Sequence, residues 1–266
     1  MKIIDLTEEY EGKYFVCLED WSDELREAGN HKENWYRKMK EKELGVKLAL
    51  NEEEKPVGMV QYIPIEYSFA EGSNLYVILC IWVHGYKNKG VGNYQKQGIG
   101  KALIQAAEDD VKNRGAKGLV AWGVPLPVFM RASWFKKRGY VKVDSQGFLG
   151  QVLLWKKFSD DAVPPKWNKA KMKPETDQNK VVVTGCISGW CPAYNMVFER
   201  AKRASQELGE QVIFNEINTI NEEISAELAF SDSLFVNRKK INTGPPPSYK
   251  KIRKKISRDL KNIKAG

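Results

Sequence analysis

The run Gln95-Lys96-Gln97-Gly98-Ile99-Gly100-Lys101 carries the clearest chemical signal in this 266-residue chain. Its glycines open a segment whose apolar residues recur at helical spacing. A residue without Cβ lets the main chain come close to a charged ligand. The first amides of a helix have no intrahelical partner, and the helix dipole adds about half a positive charge there. The combination is an anion site of the kind that takes phosphate or pyrophosphate. Two familiar phosphate loops do not fit. A Walker loop needs glycine at position 95 and a hydroxyl at 102, where Gln95 and Ala102 stand. A dinucleotide fingerprint needs a third glycine where Leu103 stands. A plain turn, with glycines for backbone reasons alone, is the remaining alternative.

Three other groups have chemistry to offer. His84 follows an apolar run and has the proton affinity of a neutral-pH base, or it is a loop histidine with an ordinary hydrogen bond. Glu66 and Tyr62 are comparable candidates on a neighbouring strand. Four cysteines occur, at 17, 80, 186 and 191. Cys17 and Cys80 lie among apolar residues and read as inert core thiols. With no zinc-like spacing and only His31 and His84 in the chain, no metal site is expected. Cys191 differs, because Trp190-Cys191-Pro192 follows a buried strand and opens a helix, where a thiolate is stabilised. Cys186 lies five residues earlier. Either Cys186 resolves Cys191 as a disulfide, or both thiols are incidental to a packing or binding module.

These residues need elements to hold them. The segment 21–42 is helix-compatible, Val46, Leu48 and Leu50 alternate as a strand, and Asn51 to Pro56 reads as a turn. Strands are expected at 57–65 and, fully buried, at 75–83. A polar, glycine-rich loop covers 85–94. A helix runs from Ile99 to about Arg114 with Ile99, Leu103, Ala106, Ala107 and Val111 on one face, and Gly115 stops it. Then come a short strand at 119–122, a helix over 128–138 ended by Gly139, and strands at 140–143 and 152–155. Residues 159–180 carry Pro164, Pro165 and Pro174 with little apolar material and read as a linker. Beyond it, strands are expected at 181–183 and 211–214, helices to about Leu208 and near 222–229, a hairpin from Ser233 to Ile241, and a closing basic helix.

The wording Gln-x-x-Gly-x-Gly, from Gln95 to Gly100, resembles the acyl-CoA pyrophosphate loop of the GNAT family of N-acetyltransferases. The order of elements over residues 3–157 agrees, and Ala132-Ser133-Trp134-Phe135-Lys136-Lys137-Arg138-Gly139-Tyr140 resembles that family's late helix and its exit. With its C-terminal appendage the whole chain is similar to the YoaP-type acetyltransferases. The resemblance implies an α/β fold with a mixed central sheet over 1–158, a linker at 159–180, and a smaller α/β domain at 181–266. That last part resembles the thioredoxin-like fold at its active turn, although Tyr194 stands where the second cysteine of Cys-x-x-Cys would be.

The same resemblance implies acetyl-CoA as co-substrate, gripped by main-chain amides from Lys96 to Lys101, with Gln95, Lys96, Gln97, Gly98, Ile99, Gly100 and Lys101 forming the loop. Ile81, Trp82 and Val83 would offer a strand edge to the pantetheine arm. In this family that strand splays from its neighbour, here 119–122. An amine of a small molecule or peptide would attack the thioester directly, with His84 as candidate base. The family's thiolate-protonating tyrosine is matched by Phe135, which cannot donate, so Ser133 and Tyr140 are the candidate acids. Two rival readings are an acyl-CoA sensor without turnover and a thiol-redox protein using Cys191 and Cys186.

Composition narrows partners. The 43 Lys and Arg against 34 Asp and Glu leave +9, concentrated between Arg238 and Lys264. There Ile252, Ile256, Leu260 and Ile263 recur at helical spacing, so the lysines read as the wet face of an amphipathic helix and not as a nucleic-acid tail. The longest apolar stretch, 75–83, is too short for a bilayer. The acidic N-terminal region lacks a signal-like apolar core, so a cytoplasmic protein is expected.

Overall fold

The computed structural model describes residues 1–126, 129–147, 150–169, 173–220, 232–241 and 244–265. The elements of its first part are β1 Lys2–Asp5, α1 Glu8–Phe15, α2 Asp23–Arg26, α3 His31–Met39, β2 Gly45–Leu50, β3 Pro56–Pro64, β4 Ala70–Glu71 and β5 Leu75–Val83. Then follow α4 Ile99–Asn113, β6 Gly118–Gly123, α5 Ala132–Lys136, β7 Val141–Gln146, β8 Gln151–Lys157 and β9 Lys166–Trp167. The last part comprises β10 Val181–Ile187, α6 Pro192–Glu207, β11 Val212–Asn218, β12 Ser233–Val236, β13 Lys239–Ile241 and α7 Tyr249–Ala265. Two compact units result, one of residues 1–21 with 38–168, the other of 22–37 with 169–266.

In the first unit a seven-stranded mixed sheet runs in the order β1-β2-β3-β5-β6-β8-β7. Only β5 and β6 pair in parallel, as α4 connects them. The helix packs through Ile99, Leu103, Ile104, Ala107 and Val111 against Val57, Val60, Ile78 and Leu119 of the sheet. Ala106, expected in that stripe, is half-buried, and Ile104 takes its place. Glu108 is also buried, which its ion pair with Lys156 at 2.6 Å permits. Gly115, at φ +80°, ends the helix in the left-handed region.

Three local expectations change. The late helix is shorter than 128–138 and spans Ala132–Lys136: the Val124 amide donates to the Met130 carbonyl and the Ala132 amide to the Val124 carbonyl, and Met130 is left-handed at φ +52°, so the helix cannot start before Arg131. Val128 lies outside the described residues. β5 is not buried throughout, since Ile81, Trp82 and Val83 are half-buried. The expected linker is anchored at its start, where Lys166–Trp167 pairs with β4 and Trp167 packs on Phe69 at 5.2 Å.

The second unit has a four-stranded sheet in the order β11-β10-β12-β13. β10 and β11 are parallel around α6, and the other pairs are antiparallel. Ile252 and Ile256 of α7 are buried with Val181, Val183 and Val197, with Leu260 and Ile263 beside them, on the face their spacing predicts. The helix expected near 222–229 lies outside the described residues. The segment 22–37 belongs to this unit although composition groups it with residues 1–158. Its attachment is electrostatic: buried Arg200 on α6 takes Glu27 at 2.9 Å and Glu24 at 3.3 Å, and His31 meets Glu199 at 2.7 Å.

Candidate active site

Strand pairing prepares the first site. β5 and β6 pair only from Leu75↔Gly118 to Ile78↔Ala121. β6 then follows β8 as far as Gly123↔Val152, while β5 continues beside β3 to Gly58↔Val83. The two strands part, and one edge of β5 from Leu79 onward is left without its neighbour. A bulge marks the fork: Gln61 pairs with Cys80 and Tyr62 with Ile78, so Leu79 has no opposite residue. Such an extra residue bends a strand and interrupts its ladder. The Trp122 indole N–H donates to the Leu79 carbonyl at 2.9 Å, capping the first group of the open edge. Neither the bulge nor this tryptophan's role is visible in the sequence, because no glycine or proline announces either.

At the end of that edge the chain makes a loop and enters α4. Gly98 is the N-cap residue with φ +82°, exposed, and a Cβ built there would meet nothing within 4 Å. Lys96 is also left-handed, at φ +65°. The Ala102 amide makes the first bond back, to the Gly98 carbonyl at 3.0 Å, so the amides of Ile99, Gly100 and Lys101 precede the hydrogen-bonded ladder. Gly100 is needed for space, since its Cβ would stand 3.1 Å from the Trp134 ring. That ring carries the Arg138 guanidinium 3.5 Å above it, which brings a permanent cation close to the helix start. Gln95 and Gln97 serve the loop itself: Gln95 Nε2 donates to the Val83 carbonyl and Gln97 Nε2 to the Asn93 carbonyl, each at 3.3 Å. An open main-chain cradle beside a free strand edge fits the diphosphate and pantetheine of an acyl-CoA.

The candidate base and acids fare differently. His84 is fully buried, with Nδ1 2.5 Å from the Gly92 carbonyl and Nε2 3.3 Å from the Trp21 indole nitrogen. Nδ1–H therefore donates to Gly92, and the Nε2 lone pair accepts from Trp21. This geometry fits a structural histidine bracing the loop 85–94, not a general base. Gly90, at φ +56°, passes so close that a Cβ would stand 2.6 Å from both rings. Tyr140 is buried beside Glu108, and burial pushes its phenol well above the ordinary tyrosine range. Glu108 lies ten residues along α4 from Gly98, about 15 Å at the helical rise, so Tyr140 is not at the cradle. Phe135 is fully buried between Trp134 and Tyr140. Ser133 is half-buried on α5, next to Trp134. Tyr62 is buried with its hydroxyl on Asp110 at 2.6 Å, and Glu66 is exposed beyond the end of β3.

The thiol turn of the second unit is built inward. Residues 181–190 are all buried, and Cys191 is half-buried at the N-cap of α6. Burial, with Asp232 nearby, pushes the Cys186 thiol up to about 11. Neither Cys186 nor Cys191 forms a disulfide. Asp232 accepts the Ser188 amide at 2.8 Å and its hydroxyl at 3.0 Å, and burial raises its carboxyl to about 6. Among the described residues no cluster suited to a metal ion occurs, and no helix is long and apolar enough to cross a membrane.

Comparison with known proteins decides the family. Residues 4–140 match the acetyltransferase (GNAT) family. The chain belongs to the GNAT acetyltransferase family. It is an N-acetyltransferase by that membership, and acetyl-CoA is its co-substrate. A search of curated proteins returns no match. Similar solved structures include a GNAT acetyltransferase from Staphylococcus aureus, 17% identical, covering 59% of this chain and 99% of its own, with TM-score 0.44. Another is an aminoglycoside 6'-acetyltransferase type Ii, 16% identical over 59% of this chain and 97% of its own, TM-score 0.45. A ribosomal-protein-alanine N-acetyltransferase from Brucella melitensis is 16% identical over 59% of this chain and all of its own, TM-score 0.45.

Proposed function

We propose that the first unit transfers the acetyl group to an amine of a small molecule or peptide by direct attack, using the cradle at Gly98 and the free edge of β5. The left-handed, exposed Gly98 at the N-cap of α4 is the observation that carries this reading. Bound acetyl-CoA supplies a thioester carbonyl open to a neutral amine. The chain's own contribution is placement. Amides of Ile99, Gly100 and Lys101 face the diphosphate, and Ile81, Trp82 and Val83 offer main-chain groups to the arm. No step requires Phe135. A coenzyme thiol has a pKa of ~8.5, an adequate leaving group without an acid, and half-buried Ser133 is a candidate donor beside Trp134, whose ring lies against Gly100.

For the second unit we read a thioredoxin-like module that packs or binds instead of exchanging disulfides. The parallel β10–β11 pair around α6, followed by antiparallel β12 and β13, supports the fold reading. The buried, protonated Cys186 thiol supports the non-redox reading, since the thiolate is the nucleophile in exchange. Incubation of the intact protein with acetyl-CoA and an amine panel, following free thiol release, tests the first assignment. Amine-dependent release is expected. Calorimetric binding of acetyl-CoA without release across a broad panel would favour the sensor instead.

A further inference from the structure

On the face of β5 that carries Trp82 and His84 lies a group that neither the strand edge nor the cradle uses. Trp21, Tyr86 and His84 meet edge to face, with Trp21–Tyr86 centroids at 5.0 Å and His84–Tyr86 at 5.7 Å. Trp82 adds a fourth ring, 6.1 Å from Tyr86. Lys89 from the loop holds its ammonium 4.9 Å from the Trp21 ring. The Glu19 carboxylate is hydrogen-bonded to Tyr86 and feels the Lys89 charge. Aromatic faces attract cations, and more so as the site becomes drier. A nearby carboxylate adds the countercharge. The group is open to solvent, with Tyr86 40% exposed and Lys89 exposed.

One polar atom there lacks an answer. The Trp82 indole N–H is buried and makes no hydrogen bond. An ammonium carries donors only and would not answer this N–H, so the cation site rests on the rings and the Glu19 carboxylate. Burial holds the Glu19 carboxyl above its ordinary range, against the lowering effect of the Tyr86 hydrogen bond and the Lys89 charge.

We propose that Glu19, Trp21, Trp82 and Tyr86 form the acceptor subsite, that it takes a lysine-like primary alkylammonium, and that Lys89 occupies it as an internal surrogate until an acceptor displaces it. This rests on the acetyltransferase reading for its purpose, but the cation site stands on its own geometry. The chain's own ε-ammonium shows which stem length and charge the rings accommodate. Trp82 belongs to the same stretch of β5 whose edge is free, so the site adjoins the main-chain groups proposed for the pantetheine arm. The loop 85–94 is then a tethered competitor, clamped at its neck by the Gly85–Asn93 bridge and inside by His84.

The test uses the intact protein and tryptophan fluorescence, with pentylamine as probe and 1-pentanol as its neutral counterpart. Pentylamine should give a saturable change that pentanol does not. Lys89→Ala should bind pentylamine roughly three- to tenfold tighter, because the competitor is gone. Glu19→Gln should bind it about tenfold weaker. Equal responses to amine and alcohol, or indistinguishable affinities in the three proteins, overturn the proposal. Acetyl-CoA calorimetry on the same samples separates the two claims. Retained coenzyme binding with no amine response sinks the subsite alone, and amine binding without coenzyme binding sinks the donor site alone. Lys89→Gln, at an exposed position, repeats the key comparison should the alanine variant misfold.

Discussion

Each unit leads from a strand into a helix, through residues 84–98 before α4 and 188–191 before α6, and the two helix starts differ. At α4 the cap is Gly98, exposed, left-handed and with nothing where a side chain would be. At α6 the first residue is Pro192, which has no amide to offer. The Asn195 amide holds the Gly189 carbonyl at 2.9 Å, and Asp232 already accepts the Ser188 amide. One helix start is open at its cap, as the proposed anion site requires. The other sits behind a turn already tied up by the protein's own side chains. A strand–turn–helix motif thus reads as a ligand site only when the residues around it leave its amides free.

The comparison can be broken most directly at Gly98. Gly98→Val puts a β-branched residue at φ +82°, a strained conformation. Strain of about 1–3 kcal/mol, added to crowding of the ligand, should weaken acetyl-CoA binding by roughly 10- to 100-fold. Calorimetry reads this, and unchanged affinity would remove the cradle from the mechanism. Phe135→Tyr comes next. The ring is fully buried, so its new hydroxyl lacks a partner and should cost about 1–3 kcal/mol of stability. Thermal melting should show the loss with no gain in turnover, whereas a faster, equally stable variant would put residue 135 in the cleft.

Asp232 sharpens the other side. Its folded carboxyl is raised from 3.8 to about 6, so the folded state holds its proton over a range where the unfolded state has released it. Stability therefore falls as pH rises from about 4 through about 6, and is insensitive to this group below and above that window. Asp232→Asn keeps an acceptor for Ser188 and should flatten that slope in denaturant titrations; an unaltered slope would show that the carboxyl is not confined. The smallest effect is expected from Lys101→Ala. Lys101 is exposed in the first turn of α4, and if main-chain amides dominate, coenzyme affinity should change by less than about threefold, within the range of a screened surface charge.

Much of this was legible before the structure. Alternation locates β2, apolar runs locate β3 and β5, and helical spacing locates α4 closely, because each buries apolar side chains. The glycines at 98 and 100 mark the cradle through backbone chemistry that few other residues permit. What escaped was side-chain allegiance. Nothing in the letters around His84 says that Trp21, sixty-three residues away, occupies its free nitrogen. Tyr140 and Phe135 belong to a motif, but burial decides their work, and burial is a property of the assembled sheet. The bulge at Leu79 has no local signal, since an apolar strand reads the same with one residue more. Glu19 was overlooked because only the fold brings its carboxylate to Tyr86.

The attachment of residues 22–37 to α6 has a temporal meaning. During synthesis those sixteen positions emerge well before Arg200, whose guanidinium anchors them. Until then Glu24 and Glu27 have only water to answer them. The C-terminal unit is therefore not contiguous along the chain. Proteolytic or genetic separation at the proline-rich stretch would strand a cation that is 5% exposed with no carboxylate beside it. Residues 22–37 and α6 thus complete one unit only together.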